Sequence, residues 1–155
     1  MRKFNLLCMW LAVLALMPAV SSAQSSAQDW KWQTVESEGR VGGSTSLALI
    51  DGRLMVSYSD YSGSKEAGKL LADLKFAVNS EPDGSGEWQI QTVDTEGRAG
   101  RYSSLEEVDG RPAISYYDLE EDDLKFAINS EPDGSGEWDI QRVDTDGDVG
   151  RSTTL

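Results

Sequence analysis

Apolar and polar residues alternate in short stretches of this chain, with turn-forming residues between the stretches. In residues 123–129 the apolar side chains fall on alternate positions, a pattern typical of a strand with one buried face. Residues 131–136 then hold Pro, Asp, Ser and Gly, and alternation resumes at Trp138. The pattern predicts two antiparallel strands joined by a tight turn.

Two further strand-like runs precede this pair, and an Asp-Gly dipeptide separates them. Residues 104–108 lead into Asp109-Gly110, and residues 111–117 follow. A two-residue primed turn requires positive φ at both central positions, which Asp-Gly supplies readily. We therefore predict a hairpin here, which brings the unit to four antiparallel strands. Asp51-Gly52 predicts an equivalent hairpin one repeat earlier.

The whole unit is repeated along the chain. Residues 74–105 recur as residues 124–155, 50 positions later, with 23 of 32 positions identical, and residues 35–40 belong to a more diverged copy. A period near 50 with four short strands and no helical stretch is typical of a β-propeller blade. We therefore predict an all-β fold of propeller blades, each with four antiparallel strands and about 50 residues per repeat.

The N-terminus has the organisation of a secretory signal peptide. Arg2 and Lys3 precede an apolar run over residues 6–20, and small residues at 21–23 predict cleavage before Gln24. We predict a signal peptide over residues 1–23, a secreted or periplasmic location, and no membrane segment in the mature chain. Cys8 lies in this segment and is the only cysteine, so the predicted mature chain forms no disulfide.

The repeats then occupy residues 24–155 as the last strand of one blade, two full blades and the start of the next. A propeller typically has about 4–8 blades, so this set predicts an incomplete propeller. Either further blades belong to the same chain, or several chains assemble into one ring. A lone fourth strand and a lone first strand do not complement each other, which favours further blades of the same chain.

The chain is acidic, with 27 Asp and Glu against 14 Lys and Arg and a formal net charge of −13. Binding to phosphate backbones needs a basic surface, so we predict that nucleic acid is not a partner. Carbohydrate or an extracellular protein is the expected ligand.

The chain resembles the blades of secreted bacterial β-propeller repeat proteins, the group that includes sialidase-like propellers. The resemblance is carried by residues 110–118 followed by residues 123–127. Residues 80–88 and 130–138 stand where sialidase-like blades carry an Asp-box, Ser-x-Asp-x-Gly-x-Thr-Trp, but their spacing is longer and Glu replaces Thr. The resemblance implies a folding element at this turn and does not imply hydrolysis.

The tryptophans at the start of each fourth strand, Trp30, Trp88 and Trp138, recur with the repeat. Large aromatic residues at fixed repeat positions predict packing between blades. Stacking against a sugar is the alternative interpretation.

In a four-stranded meander, the connection from the fourth strand to the next first strand and the connection from the second to the third leave from one end. Acidic residues gather in both connections, and the only length difference between repeats, residues 61–72, lies there too. Because function tends to lie on variable loops of a rigid scaffold, this acidic face is the predicted ligand site. Its candidate residues are Asp118, Glu120, Glu121, Asp122, Asp144, Asp146 and Asp148.

No cofactor and no metal site are predicted. The alternating acids Asp144, Asp146 and Asp148 resemble the start of a calcium loop, which makes calcium the one cation to consider. However, Gly147 comes too early and no Glu stands at the twelfth position, so the spacing favours ordinary turns.

The chain has no histidine, which excludes a Ser-His-Asp triad and a histidine-based zinc site within it. No catalytic residue is predicted, and the sequence favours a binding or scaffold module over an enzyme. The alternative is part of a sialidase-like or other glycoside-active propeller whose catalytic residues lie in other blades.

Overall fold

The computed structural model describes residues 31–63, 65–66 and 69–155, and it describes the side chains of all of these except residues 65–66 and 69–70. The predicted signal peptide, its Cys8 and Trp30 lie outside these residues. Residues 33–155 form one compact unit. Within the described ranges there is no helix, so none that could cross a membrane.

The chain folds into two antiparallel four-stranded sheets and a short two-stranded hairpin. The strands are β1 (Val41–Ile50), β2 (Arg53–Asp60), β3 (Lys65–Glu66), β4 (Lys69–Leu70), β5 (Asp73–Asn79), β6 (Trp88–Asp94), β7 (Arg101–Val108), β8 (Arg111–Asp118), β9 (Asp123–Asn129) and β10 (Trp138–Asp144). The first sheet has the order β1-β2-β5-β6, and the second has the matching order β7-β8-β9-β10. The small hairpin β3–β4 lies in the longer connection of the first repeat.

The predicted strands and hairpins of the two full repeats are confirmed. The third strand of the second repeat begins and ends where alternation predicts, at Asp123 and Asn129. Asp51-Gly52 and Asp109-Gly110 have positive φ at both positions, as the primed turn requires. The two sheets also share register, since β6 and β10 shift against their neighbours at equivalent positions.

A buried asparagine organises the turn between the third and fourth strands in each sheet. Asn129 is fully buried at the end of β9. Its Oδ1 accepts the amides of Glu131 and Gly136 at 3.0 Å, and its Nδ2 donates to the carbonyls of Gly134 and Gly136. Asn79 does the same in the first sheet. The side chain thus replaces the backbone partners that this irregular turn lacks.

The two sheets pack face to face, and one hydrophobic core joins them. Alternation along the third strand places Leu74, Phe76 and Val78 on one side of the first sheet, called here its Phe face. This face is covered by the second sheet, which contributes Leu105, Ile114 and Tyr116 from its opposite face. The equivalent Phe face of the second sheet carries Leu124, Phe126 and Ile128.

Trp138 packs between the sheets, as its repeat position predicts. Its ring lies edge-on to Phe76 of the first sheet, with centroids 5.0 Å apart. Its Nε1 donates to Oε1 of Gln91 on β6 at 2.9 Å. One repeat earlier, Trp88 makes the equivalent hydrogen bond to Gln33.

The outermost predicted strands are not formed as strands. Residues 31–40 and 151–155, where the repeat predicts a fourth and a first strand, carry no strand hydrogen bonding. A strand is defined by its pairing. The equivalent segments in the two sheets pair with an adjacent strand, whereas residues 31–40 and 151–155 have no such partner among the described residues.

Residues 145–155 nevertheless begin as the second repeat does. Ser44, Tyr102 and Ser152 are repeat equivalents and have φ of 49°, 54° and 61°. The Thr153 hydroxyl donates to the Tyr102 carbonyl at 2.6 Å, just as Ser103 donates to Ser44 at 2.5 Å. The end of the chain therefore follows the backbone course of a third repeat.

Candidate functional site

Two sets of connections meet at one end of the sheets, as the strand order predicts. The amide of Leu119, after β8, donates to the carbonyl of Arg98, before β7, at 3.2 Å. The amide of Val149 donates in the same way to the carbonyl of Asp122 at 3.0 Å. We call this end, formed by residues 95–102, 117–122 and 144–151, the loop face. It holds the acidic residues predicted as a ligand site.

Asp118, the first of those acidic residues, points into the protein. It is 1% exposed, and its Oδ2 lies 2.9 Å from Nζ of Lys125. Its Oδ1 accepts the amides of Arg98 and Glu120 at 3.1 and 2.9 Å. Burial alone would raise the pKa of Asp118, but the hydrogen bonds from Lys125 and the two amides outweigh burial and lower it. Asp118 therefore holds the loop face together and does not present its carboxylate to solvent.

The same lysine connects the two sheets. Nζ of Lys125 lies 3.1 Å from Oδ2 of Asp94, at the end of β6 in the first sheet, and the Tyr116 hydroxyl donates to that oxygen at 2.7 Å. Burial lowers the pKa of Lys125, but its two carboxylate partners raise it by more. One ammonium thus serves two buried carboxylates from different repeats. Removing one partner of such a buried pair leaves an uncompensated charge.

A second polar group surrounds the buried side chain of Tyr117, and two of its members, Asp148 and Arg151, are open to solvent. The Tyr117 hydroxyl lies 2.5 Å from Oδ1 of Asp122 and 2.9 Å from Oδ1 of Asp148. Arg151 forms a bidentate ion pair with Asp148, with Nε 2.9 Å from Oδ1 and Nη2 2.6 Å from Oδ2. The Arg151 guanidinium lies 5.7 Å from the centre of the Tyr117 ring. Burial and the hydrogen bonds to both carboxylates raise the pKa of Tyr117 to about 12. The phenol therefore stays protonated near neutral pH.

An exposed aromatic residue completes this group. Tyr102 is 37% exposed, and its ring lies 6.1 Å from that of Tyr117. The guanidinium of Arg101 lies 5.2 Å from the centre of the Tyr102 ring. We call the six side chains together the tyrosine cluster: Arg101, Tyr102, Tyr117, Asp122, Asp148 and Arg151.

The first repeat has no equivalent of the tyrosine cluster. The positions of Arg101, Tyr102, Tyr117, Asp122 and Asp148 hold Gly43, Ser44, Ser59, Ala72 and Arg98 one repeat earlier. Five differences that are scattered along the sequence thus converge at one end of the second sheet. Sequence reasoning included the two carboxylates but missed the tyrosines and arginines. The signal in the sequence is that these positions hold different residues in the two repeats.

The remaining candidates are solvent-facing. Glu120, Glu121, Asp144 and Asp146 are exposed, and Oδ1 of Asp144 accepts the amide of Asp146 at 3.1 Å in a local turn. Within residues 31–63 and 69–155 no three carboxylates lie close enough together to hold a metal ion. The structure thus brings Asp122 and Asp148 together around Tyr117 and leaves the others apart.

Comparison with protein-family models, with curated proteins and with solved structures found no significant match to this chain. The resemblance to sialidase-like blades therefore stays a prediction, and the site is argued from its geometry.

Proposed function

We propose that the two sheets are consecutive blades of a β-propeller in a secreted protein, and that the chain is a binding or scaffold module. The support is architectural. Each sheet is a four-stranded antiparallel meander, the sheets pack face to face, and equivalent residues make equivalent contacts.

The proposed ligand is a carbohydrate bound at the tyrosine cluster. The observation that carries this proposal is the convergence of five unlike repeat positions at one place on the loop face. Tyr102 offers an exposed ring that an apolar sugar face can cover. The carboxylates of Asp122 and Asp148 accept hydrogen bonds from hydroxyls, and the guanidinium of Arg151 donates them. Few polar groups placed around an apolar surface are typical of small-ligand sites.

The geometry favours binding over catalysis. A sialidase-like reaction would use a tyrosine as nucleophile. Tyr117 is fully buried and its hydroxyl lies against Asp122 and Asp148, so it is not placed to reach a substrate. Its role in the proposal is to orient Asp122 and Asp148. An enzyme with catalytic residues in other blades remains the alternative proposal, and in that case the cluster serves to position substrate.

A second candidate ligand, an extracellular protein with a basic surface, is favoured by one observation. Glu96, Glu121 and Asp146 are exposed on the loop face outside the tyrosine cluster. Complementary charge accelerates association and is weakened by salt. Binding that weakens steeply with salt and with Glu121→Lys would favour the protein ligand, whereas binding to a neutral sugar would be insensitive to both.

The test is a glycan array probed with the chain, followed by calorimetric titration of any glycan retained. Tyr102→Ser places at this position the residue that its first-repeat equivalent carries with nearly the same φ, so folding should be kept. We expect this change to weaken binding at least about tenfold, which corresponds to ~1.4 kcal/mol. Glu131→Ala, exposed at the opposite end of the second sheet, is the control and should bind normally. Unchanged binding by folded Tyr102→Ser would contradict the proposal.

A further inference from the structure

The Phe face of the second sheet lacks the cover that the first sheet has. Phe76 is fully buried because Trp138 packs against its edge and Gly134 lies over its ring. A Cβ at Gly134 would come within 2.8 Å of the ring, so only glycine fits this approach. Phe126, the equivalent residue in the second sheet, is only half-buried and faces an open groove of about 600 Å³.

The apolar and amide side chains near this groove are equivalent to side chains of the first sheet that contact the second sheet. Val93 is 8% exposed, whereas its equivalent Val143 is 59% exposed. Gln91 accepts from Trp138 and donates to the Gly134 carbonyl at 2.8 Å. Its equivalent, Gln141, is exposed and its amide lies 3.3 Å from the neighbouring Asp139.

Polar groups at the same face repeat the pattern. Asp94 receives Tyr116 and Lys125 from the second sheet, but its equivalent Asp144 is exposed. The Ser57 hydroxyl bonds to that of Ser103 at 3.1 Å. Its equivalent, the Ser115 hydroxyl, is buried and has no hydrogen-bond partner among the described residues. A buried hydroxyl without a partner is costly, so this position also calls for a further group.

The tail of the chain fixes the register of whatever covers the face. A Cβ at Gly150 would meet Leu124 at 2.9 Å, just as one at Gly100 would meet Leu74 at 3.1 Å. The Leu155 amide donates to the Ser104 hydroxyl at 3.2 Å, just as the Leu105 amide donates to Ser46 at 3.1 Å. The contacts that join the first sheet to the second are thus repeated by the tail of the chain along the β7 edge of the second sheet.

We propose that the Phe face of the second sheet binds a further four-stranded repeat of the same sequence pattern, in the register begun by residues 145–155. The occupant places a Trp indole on Phe126 with its N–H on Gln141, a turn glycine over the Phe126 ring, and a Tyr hydroxyl and a Lys ammonium on Asp144. The inference rests on the propeller architecture of the proposed function. It also reassigns Asp144 from ligand binding to contact between repeats.

The test lengthens the chain by a second copy of residues 106–155 placed directly after Leu155, which continues the repeat in register. Thermal unfolding is then compared for the original and the lengthened chain, each with Asp144→Asn and with Asp94→Asn. Asp94→Asn is the matched control, because its partners are present in both chains. We expect Asp94→Asn to lower the unfolding midpoint in both chains. We expect Asp144→Asn to shift it by less than about 1 °C in the original chain and by roughly 5 °C or more in the lengthened one.

Equal effects of Asp144→Asn in the two chains would overturn the proposal. So would a concentration-dependent dimer of the original chain, seen by light scattering, that Gln141→Arg abolishes, because the face would then belong to a second copy. The stability readout involves no ligand. If it fails while Tyr102→Ser still weakens glycan binding, the further inference fails and the binding proposal stands.

Discussion

The two sheets have nearly the same sequence and the same strand order, yet equivalent residues lie in different surroundings. In the first sheet both sides of β5 are largely buried, whereas in the second sheet only alternate residues of β9 are buried. At the loop face the second repeat is the more elaborate of the two, because only the second repeat carries the tyrosine cluster. Residues shared by the repeats therefore hold the sheets together, and residues that differ between the repeats form the candidate site.

The largest difference in unfolding free energy between equivalent residues is expected at the two phenylalanines. Phe76→Ala removes a fully buried ring together with its contact to Trp138, and we expect it to cost about 3–5 kcal/mol of unfolding free energy. Phe126→Ala removes a half-buried ring and should cost about 1 kcal/mol. Urea unfolding of the two variants measures the difference, and equal losses would show that the sheets do not pack as described.

The two equivalent lysines give the next largest contrast. Lys125→Met leaves Asp94 and Asp118 buried without their cation, at a cost of about 3 kcal/mol. Lys75, its equivalent, is more exposed, lies 3.8 Å from Asp60 and donates to Thr92, so Lys75→Met should cost about 1 kcal/mol or less. Chemical denaturation again provides the readout. A Lys75→Met loss as large as that of Lys125→Met would remove the distinction.

Acid should destabilise the fold in part through Asp118. Its pKa is lower in the folded chain than its usual value, so its contribution to stability is complete above that value and is lost as pH falls below it. Asp118→Asn should therefore make stability less dependent on pH between about pH 5 and pH 2. Unfolding midpoints across this range provide the measurement. A variant with the unchanged pH profile of the original chain would show that other carboxylates govern acid unfolding.

The smallest contrast concerns two glutamines. Gln91→Ala removes hydrogen bonds to Trp138 and to the Gly134 carbonyl, and we expect a loss of about 1 kcal/mol. Gln141→Ala at the open face should change stability by no more than about 0.5 kcal/mol. Indole fluorescence of folded Gln91→Ala should shift as well, since the partner of the Trp138 N–H is lost. Identical spectra with and without Gln91 would argue against that hydrogen bond.

The sequence predicts the strands well because alternation and Asp-Gly turns are local signals. Residues 123–129 and Asp109-Gly110 required no knowledge of distant contacts. The shared loop face also followed, since strand order alone determines which connections leave from the same end.

The surroundings of individual acidic residues could not be predicted. Asp118 and Glu120 stand in the same acidic run, but only the geometry shows that Asp118 turns inward to Lys125. The tyrosine cluster was missed because Tyr117 and Asp148 lie 31 positions apart and meet only across a repeat boundary. Residues 31–40 carry no strand pairing, and alternation alone cannot tell whether a pairing neighbour is present.

The contact between Asp94 and Lys125 is an ion pair that links the two sheets, and a double-mutant cycle with Asp94→Asn and Lys125→Met measures it. If the sheets pack as consecutive repeats, the coupling should reach at least about 1 kcal/mol, whereas a comparison cycle at Asp60 and Lys75, an ion pair within the first sheet, should give about 0.5 kcal/mol or less. A coupling near zero between Asp94 and Lys125 in folded variants would contradict the packing of the two sheets against each other.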